Sequence, residues 1–259
     1  MKPYIASILI YPIKSLDGVG VNRAKVLASG ALESDREFAI LDDRGRFVNG
    51  KRNAKVHLLR SHWDETAKTL TLQIEGTEEK QVFDLENNRS ELEATLSEYF
   101  GFSVQLARNS LTGFPDDTIA SGPTIISTAT LEAVASWFPG ITVAEMRQRL
   151  RANIEIGGVP AFWEDQLFAN EGEMVQFKIG EVLFEGINPC QRCIVPTRNS
   201  QTGASYPNFQ KLFSQKREET LPAWVNLSRF NHFYRLSVNT KVPASEAGKM
   251  VQVGDEIKL

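Results

Sequence analysis

The clearest order along the chain is a period of two. Leu70, Leu72 and Ile74 alternate with Thr71 and Gln73, and Ile154 and Ile156 alternate with Asn153 and Glu155, so each run puts its apolar side chains on one face of a strand. Two hairpins are predicted with glycine at the first turn position: Val175, Phe177 and Ile179 lead through Gly180-Glu181 to Val182 and Phe184, and Val251 and Val253 lead through Gly254-Asp255 to Ile257 and Leu259. A third is predicted at Asp42-Asp43-Arg44-Gly45, between Phe38/Ile40 and Phe47/Val48.

Helical spacing is rarer. Ser90 and Glu93 have capping-box spacing, Leu92, Leu96, Tyr99 and Phe100 share a face, and Gly101 is suited to end that helix with a positive φ. A second helix is predicted over Thr130 to Phe138, stopped by Pro139-Gly140. Thr142 with Glu145 caps another through about Arg149, and a further helix is predicted near Asn208 to Arg217 with Phe209, Leu212 and Phe213 inward. Strands dominate and the helices are grouped, which predicts a mainly β, α+β protein of barrels or sheets with appended helices. The least regular stretch, Asn109 to Pro123, is where a boundary is expected, giving domains at 1–115 and 116–259.

At 259 residues, 42% hydrophobic and 24% charged, the chain has material for two packed domains and no run of eighteen apolar residues. Its opening residues lack the apolar core and cleavage site of a signal peptide, so a cytoplasmic location without a membrane span is expected. A net charge of -3 gives no broad footprint for nucleic acid and leaves room for a local basic pocket.

Only two cysteines occur, and they stand together in Cys190-Gln191-Arg192-Cys193. A closed zinc site needs four ligands, and the chain's histidines, His57, His62 and His232, lie far from the compact order such a site uses. A thioredoxin-like dithiol opens a helix, whereas Pro196 biases Val195 toward extended backbone. The residues alone leave open a pair of small buried hydrophobes, a redox pair, or a single metal-bound thiolate.

Four motifs occur in a fixed order: Tyr11-Pro12-Ile13-Lys14-Ser15, Asp35-Arg36-Glu37-Phe38, Arg151-Ala152-Asn153-Ile154, and Arg192-Cys193-Ile194-Val195-Pro196-Thr197 followed by Thr202-Gly203. Together they resemble the MOSC-domain proteins that carry a MOSC N-terminal β-barrel domain, the group including the mitochondrial amidoxime-reducing component, over nearly the whole chain. The resemblance implies an N-terminal β-barrel domain packed on a β-barrel MOSC domain. It also implies a molybdenum-molybdopterin cofactor with Cys193 as the metal's thiolate ligand; a soft thiolate suits such a metal, and Arg192 beside it is expected to favour the ionised form. Lys14 and Ser15 are then expected at the cofactor's phosphate or pterin, Arg36 pairing with it, Arg151 and Asn153 approaching from the second domain, Gln191 and Arg192 beside the ligand, Ser121 with Gly122 on a contacting loop, and Phe233 as an aromatic neighbour. The Asp-x-Ser-Pro type sequence of relatives is replaced here by Ala120-Ser121-Gly122-Pro123, which removes an acidic contact. The stretch Trp163-Glu164-Asp165 resembles an acidic and aromatic segment of the family, and the longer chain from it to Val175 is expected to reshape the substrate mouth.

The function so implied is a cytoplasmic molybdenum-dependent reductase of small N-hydroxylated substrates. Electrons must come from an external flavin or iron-sulfur reductase, because two cysteines do not ligate an iron-sulfur cluster and Gly18-Val19-Gly20 lacks the third glycine of a dinucleotide fingerprint. The alternatives are a cofactor carrier or sulfur-transfer protein, and a thiol-disulfide protein using both cysteines. His57 and His62 are read as satisfied side chains on a strand.

Overall fold

The computed structural model describes residues 2–64 and 68–259. Fifteen strands form among them. In chain order these are β1 (Tyr4–Ile10), β2 (Val19–Val21), β3 (Arg23–Lys25), β4 (Phe38–Asp42), β5 (Leu59–Asp64), β6 (Thr69–Ile74), β7 (Lys80–Asp84) and β8 (Val104–Arg108). There follow β9 (Ile125–Ser127), β10 (Ile154–Gly157), β11 (Val175–Ile179), β12 (Val182–Gln191), β13 (Arg235–Lys241), β14 (Met250–Gln252) and β15 (Ile257–Lys258). Four α-helices accompany them: α1 (Arg89–Phe100), α2 (Thr128–Ser136), α3 (Val143–Leu150) and α4 (Phe209–Glu219).

The mainly β, α+β character is as the alternation predicts. The largest sheet has eight strands in the order β15-β11-β12-β13-β9-β10-β1-β2, and β5-β6-β7 form a separate three-stranded meander. No closed ladder is present among the described residues, so neither expected barrel closes as a ladder. Instead the eight-stranded sheet curls until β15 reaches the start of β1 through a few backbone bonds, Ile5 N–H to Asp255 O and Ile257 N–H to Pro3 O at 2.9 Å each. The short edge strands leave room for little more.

The β11–β12 hairpin forms in the predicted register, Ile179 opposite Val182, with Gly180 at φ 56°. The second predicted hairpin does not: β14 pairs with β3 and β15 with β11. The turn between them bends a corner, because Asp255 N–H donates to Gln252 O at 3.1 Å and Gln252 N–H to the Asp255 carboxylate at 2.9 Å. The third closes as predicted, with Asp42 N–H on Arg46 O and Val48 N–H on Ile40 O.

Helix α1 starts at Arg89 after Asn88, so the Ser90/Glu93 capping box is not made; Glu93 instead accepts from the Leu106 N–H of β8 at 2.7 Å. Its end is as predicted, with Gly101 left-handed. Helices α2 and α3 are capped by Ser127 and Thr142, each accepting from the N–H three residues on.

Three apolar clusters result. The first gathers the inward faces of the large sheet, such as Ile8, Ile154, Phe177, Phe184 and Val238. A second lies under β4 to β8 and α1, and a third joins α2, α3 and α4, where Phe138 stacks on Phe209 with centroids 4.2 Å apart. Ile10 belongs to the first cluster, Ile13 and Leu16 to the second. The short run between them, Tyr11 to Ser15, is therefore stretched across the seam between two cores, which sets Lys14 and Ser15 at the wall of the space there.

Candidate functional site

A cavity of about 870 Å3 opens along that seam. Among the described residues ten lysine and arginine side chains line it against four aspartates, in a chain whose net charge is -3. Of the residues singled out from the sequence, Lys14, Ser15, Arg36, Ser121, Arg151, Asn153, Gln191, Arg192 and Cys193 all border it. Phe233 does not; it packs on the first core and stacks on Phe230 with centroids 6.1 Å apart.

Three of these residues have left-handed backbones without being glycine: Ser15 at φ 77°, Arg36 at 52° and Arg151 at 54°. Such conformations cost about 1 kcal/mol or more each and persist only when the surroundings enforce them. Arg151 is enforced as the residue ending α3, its N–H on Arg147 O at 2.9 Å. Arg36 is enforced by its N–H on Tyr11 O at 2.8 Å and by Gly113, whose missing Cβ would stand 2.6 Å from Asp35 O. Both turns throw a guanidinium toward the same ring: Arg36 lies 5.2 Å and Arg151 4.1 Å from the centroid of Tyr11. Tyr11 is buried, its hydroxyl donating to Ala152 O at 3.3 Å.

The cations fall into two groups. Lys14 is buried with its ammonium on Phe114 O at 2.9 Å and Asp116 at 2.7 Å, and Arg36 pairs with Asp35. Burial pulls the Lys14 pKa down, with Asp116 opposing. Burial pushes the Asp116 carboxyl up, but Lys14 and Arg36 outweigh it and hold it below the usual range. Arg147 is likewise paired, with Glu155 at 2.6 Å. By contrast, among the described residues no carboxylate lies within ion-pair distance of Arg151 or Arg192, and each keeps a buried N–H without a hydrogen-bond partner, Nη2 of Arg151 and Nε of Arg192. An uncompensated buried guanidinium calls for an anion.

Asn153 is a cross-brace. Its amide donates to Leu9 O at 3.0 Å and accepts from Thr124 N–H at 3.2 Å and from Arg36 at 3.4 Å, joining the loop before β9 to β1 and to the Arg36 turn. Ser121 donates to Ser29 O at 2.6 Å, and Gly122 lies so close to Thr240 that a Cβ would be 2.6 Å from its hydroxyl. The acidic group missing at 120–123 is supplied nearby, since Asp116 and Asp117 both face the cavity.

The Cys193 loop leaves the end of β12 and turns into a short 3-10 helix, Val195–Thr197. Arg192 N–H donates to Tyr234 O at 3.0 Å, Arg149 to Pro196 O at 2.9 Å, and Asn199 to the Glu145 carboxylate at 2.8 Å, so α3 and β13 hold both sides of the loop. The expected partnership of Arg192 with Cys193 is not what forms. The Arg192 side chain turns back along β12, onto Cys190 Sγ at 3.3 Å, Ser237 Oγ at 3.4 Å and Leu150 O. Both thiols are free and half-buried.

Sequence reasoning missed several residues here. Tyr11 belongs to the first of the ordered motifs, but nothing in a sequence marks a buried tyrosine as the seat of two cations. His57 was read as a strand residue and lies instead on a 3-10 turn, Ala54–Leu58, at the cavity wall, where burial pushes its pKa down. Arg60 and Arg198 also border the cavity and had no motif. Glu164 and Asp165, of the segment resembling the family's acidic and aromatic stretch, are buried away from the cavity, Asp165 against Arg217 at 2.5 Å.

Residues 123–258 match the MOSC domain and residues 2–112 the MOSC N-terminal beta barrel domain. The chain is similar to the molybdenum cofactor sulfurase of Drosophila mojavensis, 23% identical over an alignment 257 positions long that covers 88% of this chain and 32% of that protein. It is similar to that of Bos taurus at 23% identity over an alignment 265 positions long, which covers 86% of this chain and 30% of that protein. The chain thus spans about a third of the length of these curated relatives. Among solved structures, the YUAD protein from Bacillus subtilis aligns over 99% of this chain and 94% of its own, at 12% identity and a TM-score of 0.40. With the second match alone taking in more than half of its length, and the first preceding it in order, the chain belongs to the family of MOSC-domain proteins.

Proposed function

We propose that this protein is a molybdenum-cofactor-dependent oxidoreductase that reduces N-hydroxylated substrates with electrons from an external flavin or iron-sulfur protein. The observation that carries the reading is that a free thiol, Cys193, borders the same cation-rich cavity as Lys14, Arg36 and the uncompensated Arg151. A phosphate-bearing pterin with a thiolate-liganded metal matches that donor set: anion-seeking guanidinium groups at one part of the wall, a soft sulfur ligand at another. Cys193 would hold the metal, while Lys14, Arg36 and Arg151 would neutralise the phosphate. When bound, the cofactor supplies the two-electron chemistry that no side chain here provides. In the overall reaction the N–O bond of an N-hydroxylated amine breaks, two electrons and two protons enter, and an amine and water leave. The protein's own part is to orient, through the braced Cys193 loop, and to balance charge, through the Tyr11-seated arginines. A cytoplasmic location fits the reading; among the described residues no helix is long and apolar enough to cross a membrane.

The second reading is a carrier or sulfur-transfer protein that holds the cofactor without turnover. The relatives named molybdenum cofactor sulfurase favour it. Both readings require molybdenum to copurify with the protein from a cofactor-producing host and to be lost in Cys193→Ala. Reduction of an N-hydroxylamine by the loaded protein with a chemical reductant supports the reductase; bound molybdenum without turnover, but with release to an acceptor enzyme, supports the carrier. Turnover driven by NADH and the pure chain alone would overturn the need for an external donor.

A further inference from the structure

The cations of the cavity gather in two neighbourhoods. Lys14 has Asp116, Arg36 and Lys51 as its charged neighbours, whereas His57 has Arg198, Arg151 and Arg60. Arg151 stands between, since Arg36 and Asp17 act on it as well. The first neighbourhood is the one assigned above to the cofactor's phosphate.

The second is built by a clasp between the two halves of the chain. Arg60, on β5, donates to His57 O at 2.5 Å and to Ser200 O at 3.0 Å, just beyond the Cys193 loop. Its charge is balanced by Asp17 at 3.2 Å and Glu75 at 3.3 Å. Arg198 lies two residues before Ser200 on the opposite side of this clasp and is not balanced. Its contact is a long bond from Nη1 to Gly203 O at 3.4 Å, its Nε is buried without a hydrogen-bond partner, and among the described residues no carboxylate pairs with it. His57 beside it is buried, which lowers its pKa, and its Nε2 has no hydrogen-bond partner among the described residues. A half-buried guanidinium held at a cavity wall with unused donors, five residues beyond the thiol, is an anion receptor on the reacting side of the cavity.

We propose that Arg198, backed by Arg60 and His57, forms a second oxyanion subsite, and that it takes a carboxylate or phosphate carried by the substrate. The inference rests on the reading above for what occupies the first neighbourhood and for the substrate's N–O group. It adds the substrate class: N-hydroxylated compounds that bear an anionic group, preferred over neutral ones.

Titration of cofactor-free protein with inorganic phosphate, followed by calorimetry, tests the site apart from the reaction. Two phosphates are expected to bind, one lost in Lys14→Gln and the other weakened about tenfold or more in Arg198→Gln, with Arg198→Lys restoring part of it. The same titration with acetate separates the two ligand sources: binding of acetate that depends on Arg198 assigns a carboxylate, and binding of phosphate alone assigns a phosphate. In the loaded enzyme, Arg198→Gln is expected to lower the ratio of kcat/KM for an anionic over a neutral N-hydroxylated substrate by about tenfold. A single phosphate site, or two sites indifferent to Arg198, overturns the proposal while leaving the reductase reading standing. Two sites in a protein that reduces no N-hydroxylated compound keep the anion subsite and overturn the reductase reading instead.

Discussion

The guanidinium of Arg151 lies 4.1 Å from the centroid of the Tyr11 ring, and that of Arg36 5.2 Å from the same centroid. One buried ring thus seats two cations that would otherwise repel each other across the cavity. Each contact of this kind is worth about 0.5–2 kcal/mol when desolvated. Tyr11→Leu is therefore expected to weaken phosphate binding at the Lys14 end roughly tenfold, whereas Tyr11→Phe keeps both contacts and loses only the hydroxyl bond to Ala152 O. Calorimetric titration of both variants checks this. Equal weakening in the two would place the effect on the hydroxyl and not on the ring.

The loop carrying Cys193 is held largely by α3. Glu145 accepts from Arg149 at 2.6 Å and from Asn199 at 2.8 Å, and Arg149 donates onward to Pro196 O. Glu145→Ala removes the acceptor shared by two loop anchors and leaves Arg149 buried without its carboxylate. A loss of about 2–3 kcal/mol in stability is expected. The Cys193 thiol should also react several-fold faster with a thiol reagent, measured in a Cys190→Ala background. An unchanged labelling rate would mean that β13, through Tyr234 O, is sufficient to hold the loop.

What could be read in the chain follows from how local each cause is. The β11–β12 hairpin needs only Gly180 and the alternation on either side, and the cap of α3 needs only the Thr142 hydroxyl three residues before the Glu145 N–H. Those were legible. The β14–β15 hairpin was misread because pairing there is decided by distant partners, β3 and β11, and by the Asp255 carboxylate closing a corner. Nine of the ten site residues expected from the sequence border the cavity, and seven of those nine come from the ordered motifs. Tyr11, His57 and Arg198 were not expected there, since their places depend on where two apolar cores meet, and no spacing within one segment records that. Phe233 was misassigned to the cavity for the same reason: on a late strand segment an aromatic toward the core and one toward a cavity look alike.

Asp165 and Arg217 form a buried ion pair remote from the cavity, with the guanidinium also 4.6 Å from the Phe162 ring centroid and donating to Arg235 O at 3.2 Å. Asp165→Asn leaves the arginine buried without its countercharge. A destabilisation of about 3–5 kcal/mol is expected in urea unfolding. The double variant Asp165→Leu with Arg217→Met should recover much of it by removing both charges. If the double variant is as unstable as the single, the pair acts chiefly through the backbone bond to Arg235.

Beside that pair, Glu164 is fully buried, and burial first, then the neighbouring Asp165, push its pKa up to about 7 from an ordinary 4.5. Its Oε2 accepts from the Thr130 hydroxyl at 3.0 Å, while Oε1 has no hydrogen-bond partner among the described residues. Between about pH 4.5 and 7 the folded chain holds a proton that the unfolded chain releases. The stabilisation tied to this group is thus fully present below about 4.5 and is lost as pH rises through 7, an effect on the order of 3 kcal/mol. Glu164→Gln, neutral at every pH and nearly the same shape, should remove that slope. Melting temperatures taken from pH 5 to pH 8 are expected to fall on the order of 5–10 °C more in the wild type than in the variant; parallel curves would show that Glu164 is already ionised within the fold.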